Sequence, residues 1–266
     1  MDNRGVASLW IGGSLTLLDQ VCLLSYVRQG YEVTLFHYFP LENVPDGITT
    51  ADARDIFADD DILIHRNGSP AMHADIFRLN LMSKTDLIWV DTDQLCIKPF
   101  DAAETHIVSY FDDSALANSV LRLPKSSPAL AYMLEFVDDR FPIPPWVLAG
   151  VRQKLIAAKD AGTPTHITEQ KFTTYGPSLL KYALKQSGEL EHAKPPHVYL
   201  PLPSTQHRFI VKAKFTDLIL NDMIQDDTRG MHLWSTNIRK NGWLEKVEQG
   251  SFLAISAKDV GIDLTK

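Results

Sequence analysis

The sequence contains one clear pair of candidate metal ligands, the two aspartates of the segment Asp91-Thr92-Asp93. Carboxylate oxygens suit hard divalent cations, and two carboxylates at this spacing can reach one ion while leaving coordination positions for phosphate oxygens. The same spacing recurs at Asp59 and Asp61, inside an acidic triplet that is typical of a solvated turn. The spacing alone is therefore unspecific, and its meaning depends on the surrounding elements.

A second candidate group consists of Asp75 and Arg78, which are three residues apart in a segment with helical character. At that spacing both side chains lie on one face of a helix and can contact one ligand together. The alternative is an intrahelical ion pair of small energetic value, which the spacing alone favours. The nearby Asp91 and Asp93 reverse that preference.

A third candidate is His232, in the glycine-led apolar segment Gly230-Met231-His232-Leu233-Trp234. An imidazole is a suitable third ligand for Mn²⁺ and a poorer one for Mg²⁺. A core histidine whose nitrogens are hydrogen-bonded is the alternative, and the sequence favours neither interpretation.

Aromatic and glycine residues near both ends of the chain suggest how a nucleotide could be bound. Trp10 ends an apolar run, where its indole can stack on a uracil ring or fill the core. Gly12 would let a nucleotide approach the backbone closely. Trp234 is a candidate for the closing edge over a diphosphate, with Arg239 or Lys240 adding positive charge.

The elements that must position these residues follow from hydrophobic periodicity. An apolar run over residues 6–12, a helix capped by Ser14 and ending near Gly30, and alternation over residues 32–38 predict a strand, helix, strand unit. Residues 70–82 then predict a helix with Pro70 near its first turn, and residues 86–90 a continuously apolar strand. Such a strand is covered on both faces, which favours an α/β fold with a mostly parallel sheet flanked by helices. Asp91 to Asp93 then lie at a strand's carboxyl end, where ligands gather in open sheets.

The rest of the chain predicts further strands at residues 106–111, 119–123 and 197–200, and helices at residues 127–137, 146–159 and 178–186. We expect one domain, with residues 1–125 as a nucleotide-sugar-binding core and residues 126–266 as the acceptor side and closing segment. A Pro-rich patch at residues 141–145 would mark where helices leave the core.

Composition excludes several classes of protein. The 266 residues are 45% hydrophobic and 22% charged, as in a globular protein with a substantial core. A net charge of -7 argues against a broad basic surface for nucleic acid. Cys22 and Cys96 lie in apolar runs, which predicts buried free thiols. The first residues match neither a signal peptide nor a membrane span, so we expect a cytoplasmic protein without a transmembrane segment.

The segment Trp89-Val90-Asp91-Thr92-Asp93, continuing to Phe100, resembles the Asp-x-Asp sugar-binding region of glycosyltransferase family 32 and its capsular-polysaccharide relatives. Asp75 and Arg78 are similar to the Asp-x-x-Arg helix of the same region. The weaker points of agreement are Trp10-Ile11-Gly12, Asn118 before a Pro124-Lys125 turn, Gly176-Pro177-Ser178 and His232-Leu233-Trp234.

The resemblance implies a GT-A type fold and a Mn²⁺ or Mg²⁺ ion held by Asp91, Asp93 and His232. It also implies a nucleotide-diphosphate sugar donor, a UDP-hexose or UDP-N-acetylhexosamine, and retention of the anomeric configuration. Asp75, Arg78 and Asp93 would serve catalysis. The residues that would bind the nucleotide sugar are Trp10, Gly12, Asp75, Arg78, Asp91, Thr92, Asn118 and Trp234.

One departure from the family is the segment Ser83-Lys84-Thr85-Asp86, which stands where family members carry a Gly-Gly turn. No carboxylate can be assigned as a nucleophile. The acceptor would be a glycan or a lipid-linked saccharide of a polysaccharide pathway, and any membrane contact would be peripheral.

Two other functions are compatible with the sequence. One is a non-catalytic module of the same fold that binds a nucleotide sugar or a glycan, since fold does not fix function. The other is a pyrophosphorylase-like nucleotidyltransferase, which the sequence supports less because it has no Gly-rich amino-terminal loop followed by basic residues.

Overall fold

The computed structural model describes residues 5–59 and 61–264, which form an α/β fold around a six-stranded sheet with the strand order β3-β2-β1-β4-β7-β6. A separate two-stranded sheet pairs β5 with β8. The strands are Val6–Trp10 (β1), Val33–His37 (β2), Ile48–Asp52 (β3), Ile88–Val90 (β4), Gln94–Cys96 (β5), Ile107–Tyr110 (β6), Leu116–Arg122 (β7) and Gly230–His232 (β8).

The helices alternate with these strands through the first half of the chain and dominate the second half. They are Leu17–Arg28 (α1), Ala71–Lys84 (α2), Pro128–Val137 (α3), Ala149–Asp160 (α4), Pro177–Ser187 (α5), the single turn Thr216–Leu218 (α6), Ser235–Lys240 (α7) and Phe252–Asp259 (α8).

The central sheet is parallel across four of its strands. β1 pairs parallel with both β2 and β4, and β2 pairs parallel with β3, whereas β7 joins β4 and β6 antiparallel. The predicted α/β class, with a mostly parallel sheet flanked by helices, is therefore confirmed.

Both faces of the sheet are covered, as the continuous apolar run before Asp91 predicted. On β4, Trp89 packs into the core cluster that holds residues of α2, α3 and α5. Ile88 and Val90 point to the opposite face, into the cluster that holds residues of α1. Side chains alternate across a strand, so only a strand buried on both faces needs three consecutive apolar residues.

The start of α1 differs from the prediction that Ser14 caps it. Thr16 is the capping residue, and it forms a reciprocal capping box with Asp19 at the third helical position. The Ser14 hydroxyl instead donates to the carboxylate of Glu42 at 2.9 Å. Both residues offer a hydroxyl, but only Thr16 is followed three residues later by an acidic residue that completes a capping box.

The connection after α2 explains how the chain dispenses with a Gly-Gly turn. The helix ends at Lys84, and Thr85 follows with extended backbone angles that a β-branched residue adopts easily. Its N–H and hydroxyl both donate to the Leu81 carbonyl at 2.8 Å. Glycine is needed where the backbone turns left-handed, and this turn does not.

The predicted strand at residues 197–200 is wrong, because Pro196–Val198 form a short 3₁₀ turn. Prolines 195, 196 and 201 surround it, and proline removes the N–H that a sheet ladder requires. Strands β3, β5 and β8 were not predicted from the sequence. The last two matter most, because they bring His232 beside the Asp91-Thr92-Asp93 segment.

Several smaller expectations can be compared with the described residues. Cys22 and Cys96 are buried free thiols, as predicted. Asp59 pairs with Arg140, whereas Asp60 of the acidic triplet and residues 1–4 at the start of the chain lie outside the described residues. Within the described residues, no helix combines the length and the apolar character that crossing a membrane requires. The division between residues 1–125 and 126–266 stays a prediction.

Candidate metal and diphosphate site

The Asp91-Thr92-Asp93 segment is the tight turn between β4 and β5. The Asp91 N–H donates to the Ser119 carbonyl at 2.7 Å, which continues the β4–β7 pairing for one residue. The Asp91 carbonyl then accepts from the N–H of Gln94 at 3.0 Å and closes the turn. Backbone hydrogen bonds therefore fix the turn on both sides.

His232 reaches this turn through the two-stranded sheet. Gln94 is aligned with His232, so β8 places the imidazole beside Asp93. The Nε2 atom of His232 lies 3.0 Å from Asp93 Oδ1, and Asp93 Oδ2 accepts from the Ser235 N–H at 2.8 Å. The ligand atoms of Asp91, Asp93 and His232 all lie within 4.8 Å of one another. The three residues predicted to hold a metal are thus brought together.

The donor set fits a divalent cation. Two carboxylates and one imidazole suit Mn²⁺, which takes both oxygen and nitrogen ligands. His232 Nδ1 is buried and has no hydrogen-bond partner within the described part of the chain. The Nε2 atom, which faces Asp93, is the nitrogen that could ligate the ion.

The pKa shifts of the three residues in the cluster also favour binding of a cation. Burial raises the pKa of Asp91, and the neighbouring Asp93 raises it further against the opposing effect of Arg78. Burial also disfavours ionised Asp93, but His232 and the Ser235 N–H outweigh it and lower the pKa. Burial alone would lower the pKa of His232, yet the two carboxylates leave it raised. The cluster therefore attracts positive charge, whether a proton or a cation.

Arg78 lies on α2 between Asp75 and Asp91 and contacts both. Its Nη2 atom is 3.5 Å from Asp75 Oδ1 and 3.4 Å from Asp91 Oδ1, and its Nη1 atom donates to the Asn118 carbonyl. The guanidinium also lies 4.6 Å from the centre of the Trp89 ring. The intrahelical pair with Asp75 and the contact with Asp91 thus coexist.

Asp75 is buried, and neighbouring residues enclose its carboxylate. Its Oδ1 atom accepts from Asn118 Nδ2 at 2.8 Å. Gly176 presses its backbone against the carboxylate so closely that a Cβ there would lie 2.5 Å from Oδ2. Burial raises the pKa of Asp75 to about 6 despite Arg78. Asp75 and Asn118 both contact the Arg78 guanidinium and hold it in position.

Asp19, a buried carboxylate on α1, is a further residue of the site that was not predicted from the sequence. Its Oδ1 atom accepts from the Thr92 hydroxyl at 2.9 Å, and its Oδ2 atom holds Thr16 in the capping box. Asp19 therefore connects the start of α1 to Thr92, the middle residue of the Asp91-Thr92-Asp93 turn. The Thr-x-x-Asp spacing predicts the capping box, but it cannot predict the contact with Thr92.

A cavity of about 330 Å³ opens beside the turn. Trp10, Arg78, Asp91 and Asp93 contribute to its walls. The remaining lining residues are Leu9, Ile11, Asp19, Ser69, Pro70, Ala71, Ala74, Trp89, Thr92, Ser235, Thr236 and Arg239. This combination of apolar walls, carboxylates and two arginines suits a ligand with a flat ring and a charged group.

The predicted nucleotide-binding residues differ in their positions. Trp10 lines the cavity, and Gly12 packs behind it, because a Cβ on Gly12 would lie 3.1 Å from Trp10 Nε1. Trp234 is turned away, with its indole N–H donating to the Leu202 carbonyl at 2.9 Å. Arg239, on α7, does reach the cavity wall.

Comparisons with known proteins find similarity in structure only. No protein-family model matches the sequence, and no curated protein matches it. Among solved structures, the PaToxG glycosyltransferase is 14% identical over 71% of this chain and 70% of its own, with a TM-score of 0.47. The glycosyltransferase GlyE of Streptococcus pneumoniae TIGR4 is 12% identical in its apo form and 13% identical in a second structure. Both cover 99% of this chain, which spans 66% of theirs, with TM-scores of 0.41 and 0.36. The resemblance to family 32 stays a prediction.

Proposed function

We propose that this chain is a metal-dependent glycosyltransferase of GT-A type. It would move a hexose or N-acetylhexosamine from a uridine-diphosphate donor to a glycan or lipid-linked saccharide, with retention of configuration. One observation carries the proposal. Asp91, Asp93 and His232 come from two distant parts of the chain and converge within 4.8 Å beside a cavity that Arg78 and Arg239 line.

The roles of the chain's own residues follow from this arrangement. Asp91, Asp93 and His232 would hold Mn²⁺ or Mg²⁺, which as a Lewis acid stabilises negative charge on a departing diphosphate. Arg78 and Arg239 both line the cavity with positive charge, and burial strengthens the charge of Arg78, whereas Arg239 is exposed. Trp10 offers an aromatic surface for the uracil ring.

Asp19 would contribute by holding the turn in place. Because Thr92 lies between the two ligand residues, its hydrogen bond to Asp19 restricts the rotation of both neighbours. Arg78 does the same from the other side through its contact with Asp91. Ligand positions fixed before the substrate arrives need no reorganisation during the reaction.

One feature favours the alternative of a non-catalytic binding module. The cluster is already neutralised from within, since Arg78 contacts Asp91 and His232 contacts Asp93. A site whose two carboxylates are already paired with Arg78 and His232 can bind a nucleotide sugar through Arg78 and Arg239 without activating it. The two candidates differ in whether the donor is cleaved.

The test is release of UDP from the common uridine-diphosphate sugars by the purified protein with Mn²⁺, and again after EDTA. We expect release with at least one donor, and loss of release when the metal is removed. A folded protein that neither binds nor cleaves any of these donors would refute both candidates. Donor binding without UDP release on prolonged incubation would identify the binding module.

A further inference from the structure

A second cavity of about 500 Å³ is lined in part by Trp234, whose ring also contacts His232. The donor site described above leaves it without a role. Its walls combine prolines, two aromatic rings and a few polar groups. The lining residues are Phe111, Asp112, Pro196, His197, Leu200, Pro201, Leu202, Pro203, Ser204, Thr205 and Trp234.

Phe111 and Trp234 form an aromatic corner in this cavity. Their ring centres are 5.6 Å apart and the ring planes meet at 83°. Phe111 is 38% exposed, although a ring of that size usually packs inward. The indole N–H of Trp234 donates to the Leu202 carbonyl, which fixes the ring against the proline-rich wall. The corner is therefore rigid on one side and open on the other.

The backbone conformation of Trp234 indicates that this corner belongs to a binding site. Its φ is 57°, in the left-handed region that large side chains rarely adopt. Non-glycine residues held in this region concentrate at binding sites, where the surrounding structure maintains them. Here the left-handed turn lets consecutive residues face different sites, because Ser235 donates to Asp93 while Trp234 lines the second cavity.

The second cavity adjoins the metal site through a single ring. The Trp234 and His232 rings are 4.2 Å apart and nearly perpendicular, at 81°. A molecule seated against Trp234 would thus be separated from the cluster of Asp91, Asp93 and His232 by the thickness of that wall. Transfer requires the receiving oxygen to come within about 3.5 Å of the reacting carbon, so a saccharide seated there would extend its receiving hydroxyl past Trp234 toward the cluster.

The residues that line the second cavity indicate which class of ligand it can bind. A pyranose ring has an apolar C–H face, which packs on an aromatic ring, and an edge of hydroxyl groups, which needs polar partners. The cavity supplies the aromatic corner together with Asp112, His197, Ser204 and Thr205. Asp112 Oδ1 is held in place by the backbone N–H groups of Ser114 and Ala115, both at 2.8 Å.

We propose that this second cavity binds the acceptor saccharide, with one pyranose ring against Phe111 and Trp234. The inference rests on the proposed glycosyl transfer and names the part of the chain that receives the acceptor. Its loops come from residues 111–112, 196–205 and 234, so the acceptor site is assembled from three separate segments.

The test compares Phe111→Ala with the matched control Phe141→Ala. Phe141 is 39% exposed and also makes a ring contact, with His166, but it lies outside both cavities. The probes are the methyl glycosides of glucose, galactose, mannose and N-acetylglucosamine. Binding is followed by saturation-transfer NMR, which needs neither donor nor turnover. Acceptor-dependent UDP release is measured in parallel and divided by donor hydrolysis.

We expect at least one glycoside to bind the wild-type protein, and Phe111→Ala to weaken that binding and lower the transfer-to-hydrolysis ratio about fivefold. Phe141→Ala should change neither. Binding that Phe111→Ala leaves intact, or no binding of any glycoside, would overturn the inference. Wild-type protein that binds a glycoside through Phe111 but never cleaves a donor would instead overturn the proposed transfer and leave the saccharide site standing.

Discussion

The two Asp-x-Asp segments of this chain have the same spacing and different surroundings. Asp59 forms an ion pair with Arg140, each with more than a quarter of its side chain exposed, and accepts from the Asp61 N–H at 3.1 Å. Asp91 and Asp93 are partly buried and meet His232, which lies 139 residues further along the chain than Asp93. The difference teaches that long-range pairing, and not the tripeptide, creates the candidate site.

The largest expected effect comes from removing one carboxylate of each segment in turn. Asp93→Asn should lower donor cleavage at least about 100-fold, because charge stabilisation of the leaving group is lost. Asp61→Asn should leave cleavage unchanged, since Asp61 is exposed on a loop. Steady-state UDP release by both variants measures the contrast. Equal losses, or none in Asp93→Asn, would remove the distinction between the segments.

The arginine partners of the two segments should differ in their contribution to stability. Arg78 is buried between two carboxylates, so Arg78→Ala leaves uncompensated charge and should lower the free energy of unfolding by about 3 kcal/mol. Arg140→Ala removes a partly exposed pair and should cost under about 1 kcal/mol. Urea denaturation curves for both variants give the comparison. A cost for Arg140→Ala as large as that for Arg78→Ala would contradict it.

The pH dependence of stability should reveal the burial of Asp75 behind the site. Burial raises its pKa to about 6 in the folded protein, against 3.8 as the ordinary value. Between these two pH values the unfolded chain ionises first, so the folded protein loses stability as the pH rises. Asp75→Asn cannot ionise and should escape a loss on the order of 3 kcal/mol.

Unfolding free energies of wild type and Asp75→Asn at pH 4, 5, 6 and 7 test this. The difference between them should change in favour of the variant up to about pH 6 and then level off. A difference that is independent of pH would show that Asp75 titrates normally.

The smallest expected effect concerns Thr92, the middle residue of the buried segment. Thr92→Val loses the hydrogen bond to Asp19 and should weaken Mn²⁺ binding about tenfold while the fold persists. Thr16→Ala breaks the other contact of Asp19 and serves as a control for the helix cap. Weakening by Thr16→Ala alone would assign the effect to α1 and not to the turn.

The sequence predicts well the part of the site that β4 and α2 carry. β4 and α2 are short continuous patterns, the longer of them 14 residues, and they place Asp91, Asp93, Asp75 and Arg78 without knowledge of the rest of the chain. The buried thiols of Cys22 and Cys96 follow from the same patterns. Local spacing determines local geometry, so these expectations needed no long-range information.

The contacts that join distant segments of the chain at the site could not be predicted from the sequence. β5 and β8 are three residues each, too short for a period to appear, and their pairing joins segments more than 130 residues apart. The Thr92 contact with Asp19 and the corner of Phe111 and Trp234 likewise join distant segments. The wrong prediction of a strand at residues 197–200 has a local cause. Its apolar residues suit a strand, but the flanking prolines do not.

The central claim is that Asp91, Asp93 and His232 hold a divalent cation, and Mn²⁺ titration followed by electron paramagnetic resonance tests it most directly. In the presence of UDP, we expect the wild-type protein to bind one Mn²⁺ per chain. Asp93→Ala should abolish that binding and His232→Ala should weaken it, whereas Asp61→Ala should match the wild type. Binding of Mn²⁺ that survives Asp93→Ala and is lost in Asp61→Ala would contradict the account.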